Sequence, residues 1–70
     1  MNTFGVLDMD TDKIIFESGE WLEVFDKYLE VMRENMQGYL IPDNIWMVIL
    51  DNGKIVQYER LTTETHMRLK

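Results

Sequence analysis

The sequence predicts an α+β fold, a two-layer ββαββ arrangement with a mainly antiparallel four-stranded sheet and one long amphipathic helix on one face. Three observations carry this expectation. Residues 19–37 repeat apolar side chains at the helical period, β-rich runs flank the turn-like DMDTD of residues 8–12, and two further runs flank Asp51-Asn52-Gly53.

Thr3–Leu7 (TFGVL) and Lys13–Phe16 (KIIF) read as a hairpin over 3–16. Facing Asp8 with Lys13 sets Leu7 opposite Ile14 and Val6 opposite Ile15. Phe4, Val6 and Ile15 then share one face, and Gly5, Leu7, Ile14 and Phe16 the other. Ser18 follows as a suitable N-cap, since its hydroxyl can accept from the first helical N–H groups. In the 19–37 helix, Trp21, Leu22, Tyr28, Leu29, Met32 and Met36 fall within about 60° of Phe25 and form the core side. Glu20, Glu23, Lys27, Glu30 and Glu34 lie within about 40° of the opposite side, so carboxylates dominate the solvent stripe. Gly38 suits the left-handed residue that ends a helix, and Pro42 keeps the chain out of it.

Asn44–Leu50 (NIWMVIL) and Lys54–Leu61 (KIVQYERL) make the second hairpin, over 44–61. Asn52-Gly53 tolerates positive φ at both centres of a two-residue loop, and such a loop fixes register. Asp51 then faces Lys54, Leu50 faces Ile55, Ile49 faces Val56, Met47 faces Tyr58 and Ile45 faces Arg60. Ile45, Met47, Ile49, Val56 and Tyr58 make the better core face, while Trp46, Val48, Leu50 and Ile55 share the second with Gln57 and Glu59. One helix covers one side of a sheet this wide. The tail, residues 62–70, adds only Met67 and Leu69 as apolar cover, so the second face is expected to stay open. Both hairpins read Leu-Asp, turn, Lys-Ile, which turn propensities alone explain without an internal repeat.

Seventy residues make a single domain over 1–70, near the lower limit for folding alone, because so short a chain buries only about 60% of its unfolded surface. An apolar content of 46% opposes disorder despite the net charge of −6. Residues 1–34 hold nine Asp and Glu against Lys13, Lys27 and Arg33, whereas residues 35–70 hold four acids and four bases. All the net charge therefore belongs to the first half. Such a surface repels nucleic acid and anionic lipid and favours basic proteins or cations. With no cysteine there is no disulfide framework, and a cytoplasmic location is the expectation. No signal-type segment or apolar run of about 18 residues is seen, so no membrane partner is expected.

Asp8, Asp10 and Asp12 alternate as they do in an EF-hand loop, where carboxylates converge on calcium. The match then fails, with Lys13 at the glycine position and Gly19 where the closing Glu belongs. Turn chemistry explains the three aspartates, and no metal site or cofactor is predicted. His66 stands in the polar tail beside Thr62, Thr63, Glu64 and Thr65, with no nucleophile or paired acid arranged around it. There is no cysteine, no phosphate-cradling glycine loop and no second histidine, so no enzyme activity or catalytic residue is predicted.

What remains is binding. The row Glu20, Glu23, Glu30 and Glu34 points to a protein partner with a basic surface. In size and acidity the chain resembles the small inhibitors that bacteriophages direct against host nucleases and polymerases, a resemblance of composition with no motif behind it. That resemblance implies an inhibitor imitating nucleic acid, without binding nucleic acid itself. The alternative is a homodimeric structural module associating through Trp46, Val48, Leu50 and Ile55, where an amphipathic aromatic makes a good anchor.

Overall fold

The computed structural model describes residues 2–38 and 40–60. The elements are β1 (Asn2–Asp8), β2 (Lys13–Ser18), α1 (Trp21–Glu34), β3 (Ile45–Asp51) and β4 (Lys54–Glu59). They form one antiparallel sheet in the order β2-β1-β3-β4, so each hairpin contributes one central and one edge strand. The ββαββ α+β architecture is as expected; residues 61–70, with Leu61, Met67, Leu69 and His66, lie outside the described residues.

Both hairpins keep the expected pairing beside the turn and leave it one step later. Asp8 pairs with Lys13 and Leu7 with Ile14, while Asp51 pairs with Lys54 and Leu50 with Ile55. Asn52 (φ 53°) and Gly53 (φ 83°) are both left-handed, as a two-residue loop requires. Each edge strand then carries one extra residue, Ile15 in β2 and Val56 in β4, so that Val6 pairs with Phe16 and Ile49 with Gln57. A bulge reverses the facing of everything beyond it. Phe16 consequently joins Val6 instead of Leu7, Gln57 and Glu59 join Ile49 and Met47, and Tyr58 moves to the face of Val48. These positions correct the register read from the turn alone. Burial explains the outcome in β2, where the bulge delivers a phenyl ring to the core.

The helix is 14 residues long, shorter than the 19–37 stretch. Glu20 is still extended (φ −100°, ψ 113°). Ser18 acts nearby, its Oγ accepting from the Glu20 N–H at 3.1 Å and donating to Glu23 Oε1 at 2.8 Å. At the other end Asn35 leaves helical geometry (φ −108°, ψ 3°) and its Nδ2 donates to the Val31 carbonyl at 2.8 Å. Gly38 (φ 64°) then turns the chain, and Gln37 and Leu40 exchange both backbone hydrogen bonds.

The buried line of α1 is Val24, Tyr28 and Met32, so the helix is rolled by about 60° from the axis through Phe25. Leu22, expected in the core, is 72% exposed, while Val24 is 0% exposed. Aromatic packing accounts for the roll. Trp21 meets Phe4 edge-on at 5.3 Å and stacks on Phe25 at 6.3 Å, filling the flank and leaving the smaller Val24 directly over the sheet. Val6, Ile41, Ile45 and Met47 complete this core. The helix packs on β1, β2 and β3 and does not reach β4.

On the other face Leu7, Val48 and Leu50 form a second buried cluster with Trp46 and Ile55 packed against it. A Cβ on Gly5 would stand 3.2 Å from Ile14 Cγ2 and 3.4 Å from Leu50 Cδ1. Glycine there lets side chains from both neighbouring strands close over β1.

Candidate functional site

Three surfaces bear on function: the outer side of α1, the second sheet face, and a groove beyond the helix C-terminus. Glu20, Glu23, Glu30 and Glu34 are all exposed, because the roll that buries Val24 leaves the opposite side of α1 in solvent. Asp26 is exposed with them. Two of the four predicted carboxylates already have partners: Glu23 accepts from Ser18, and Glu30 pairs with Lys27 at 3.1 Å. Among the described residues this is the single salt bridge, and both its partners are solvent-accessible, so it contributes at most about 1 kcal/mol. Arg33 is the other cation on the helix, leaving α1 and Glu20 with five acids against two bases.

Trp46, Val48, Leu50 and Ile55 do share one face, as predicted. It is less open than the sequence suggested, since Val48 and Leu50 are each 1% exposed and Trp46 and Ile55 are half-buried. The bulge at Val56 also changes its membership. Tyr58 meets the Trp46 ring edge-on at 6.2 Å, and the Arg60 guanidinium lies 5.0 Å from that ring's centre. Trp46 Nε1 donates to the Asp43 carbonyl at 3.0 Å, which fixes the indole beside β4. Tyr58 and Arg60 were missed because the turn-derived register sends them to the opposite side. No local signal announces the change, since Ile55 and Tyr58 share a face at a spacing of three only through the bulge.

The aspartate loop is used for folding. Asp8 Oδ1 accepts from the Asp10 N–H at 3.0 Å and from Asn44 Nδ2 at 3.3 Å, and the Met9 N–H reaches the Asn44 carbonyl at 2.8 Å. Asp12 closes the turn with φ 57°, a conformation that aspartate tolerates well. Among the described residues no group of three His, Cys, Asp or Glu side chains gathers where a metal ion could be held.

Those contacts bring the β1–β2 turn against the connection from α1 to β3 and create a groove of 460 Å³. Among the described residues it is lined by Asp10 from the turn and by Asn35, Gln37, Leu40, Ile41, Pro42, Asp43 and Asn44 from the helix end and the connection. Its residues come from segments far apart in sequence, so no local motif announces it.

Compared with known proteins, the chain matches no family model, no curated protein and no solved structure at a significant level. Among the described residues no helix is long and apolar enough to cross a membrane.

Proposed function

We propose that this chain is a small, non-enzymatic protein-binding module that engages a basic surface of a partner protein through the outer side of α1. In its sharpest form it is a cytoplasmic inhibitor that covers a nucleic-acid-binding surface. The observation that carries the reading is the exposed row Glu20, Glu23, Glu30 and Glu34, backed by a chain whose net charge of −6 lies wholly in its first half. A rigid helix holds such charges at fixed spacing, which favours fast, oriented encounter with a surface of opposite sign.

The test is affinity capture from the source cell with the wild-type chain and with Glu20, Glu30 and Glu34 changed to Gln, leaving Glu23 in place because it supports the start of the helix. The expected result is a partner retained at low salt, released near about 0.5 M salt where screening is short-ranged, and lost in the variant. A partner that stays bound to the variant and through high salt would remove the helix from the interaction.

Self-association through the second sheet face has less surface to work with than the sequence suggested, because Val48 and Leu50 are already buried within the chain. Its accessible parts are Ile14, Tyr58 and the edges of Trp46 and Ile55.

A further inference from the structure

The second sheet face is more deeply buried than the elements described on it account for. Leu7, Val48 and Leu50 are 2%, 1% and 1% exposed within a single chain, although α1 lies on the opposite side of the sheet. We propose that residues 61–70 pack across this face and cover these three side chains.

Neighbours on the sheet do not supply the cover. Side chains on one face of a sheet stand nearly parallel, so they shield each other's flanks and leave their tips to whatever lies above. Val48 is flanked by Gly5, which has no side chain, and by Tyr58, which is 51% exposed. Leu50 lies between Thr3 and Ile55, and Leu7 between Trp46 and Ile14, and all four of these neighbours keep contact with solvent. The helix side gives a control. Ile49, next to Leu50 on β3 and facing that side, is only half-buried. A central strand therefore does not bury its side chains unaided.

The cover must come from beyond the described residues. Positions 1 and 39 supply one residue each, and residues 61–70 supply ten. The segment also starts in the right place, because Arg60, immediately before it, holds its guanidinium 5.0 Å from the centre of the Trp46 ring on this face. Its reach is sufficient: β1 lies two strand spacings from β4, about 10 Å, and Leu50 lies about 13 Å along β3 from Trp46. Ten residues span about 15 Å as a helix and over about 30 Å when extended. Leu61, Met67 and Leu69 offer three apolar side chains to three apolar tips, and the unbranched methionine adapts to an uneven surface. Because the burial exists within one chain, no second copy is needed to produce it. The contact lies across the sheet from the acidic side of α1 and is independent of the basic-partner reading. It fills, within the chain, the surface through which two copies would associate.

The chain has no cysteine, so Thr65→Cys gives the full-length protein a single attachment point for a nitroxide label. The test measures how that label attenuates the amide signals of the 15N-labelled chain, whose spectrum also reports that it is folded. The expected result is attenuation at Gly5, Leu7, Val48 and Leu50 severalfold greater than at Glu23 and Glu30 on the outer side of α1. Adding Met67→Gln and Leu69→Gln should abolish that contrast, and a mixture of label-free 15N chain with nitroxide-bearing 14N chain should show none of it. Attenuation in the mixture would overturn the proposal in favour of a second copy on the face. Attenuation confined to residues 54–60, or equal on both sides of the sheet, would overturn docking of the segment altogether. A contrast that survives both glutamine substitutions would overturn Met67 and Leu69 as the cover.

Discussion

The two hairpins occupy equivalent places in the sheet, related by a half-turn about an axis between β1 and β3, yet only the first lies wholly under the helix. Leu7 corresponds to Leu50, Ile14 to Ile55, and the bulged Ile15 to the bulged Val56. The central pairing respects the same relation, since Leu7 pairs with Trp46 and Leu50 with Thr3. Beyond the bulges the side chains diverge. Phe16 packs against the core where its counterpart Gln57 is exposed, because α1 crosses β2 and stops short of β4. On the other face the Thr3 hydroxyl donates to Glu17 at 2.8 Å, and the counterpart pair is the aromatic contact between Trp46 and Tyr58. One backbone plan thus serves two environments, and the environment chooses the residue.

Three substitutions probe how far that equivalence extends. The largest effect belongs to the paired leucines: Leu7→Ala and Leu50→Ala should each cost about 2–5 kcal/mol in urea unfolding. For a chain of this length total stability is roughly 3–10 kcal/mol, so either change approaches unfolding. Equal costs would extend the equivalence from backbone to packing, and a gap above about 2 kcal/mol would confine it to the backbone. An exchange between the hairpins comes next. Phe16→Gln should cost about 1.5–3 kcal/mol through lost burial under α1, whereas Gln57→Phe should stay within about 0.5 kcal/mol because the helix does not extend over β4. Marked stabilisation by Gln57→Phe would show that the edge beyond α1 is covered after all. The smallest effect is Leu22→Gln, expected within about 0.5 kcal/mol by thermal melting, and a loss several times larger would return Leu22 to the core.

The elements were legible in the sequence because each has a local cause. Asn52-Gly53 fixes a two-residue loop, and the apolar period marks the helix and its solvent stripe. The bulges were not legible. In Lys54–Glu59 the alternation reads equally well in either register, and the choice depends on where the helix lies above the sheet. The roll that buries Val24 and exposes Leu22 has the same origin, being set by Trp21 packed edge-on to Phe4 and stacked on Phe25. The candidate site divides along the same line. Its exposed carboxylates follow from helical period, while the groove depends on Asn44 reaching Asp8 across the fold.

The paired bulges have a consequence for the behaviour of the chain at high concentration. Antiparallel sheets lengthen into fibrils when an outer strand offers an unbroken row of free donors and acceptors to the next molecule. Here both outer strands begin with a lysine, Lys13 or Lys54, and break their row two residues later at Ile15 or Val56. A second molecule approaching from either side meets a charge and then a misplaced peptide group. Among the described residues, then, both edges of the sheet carry features that oppose edge-to-edge growth.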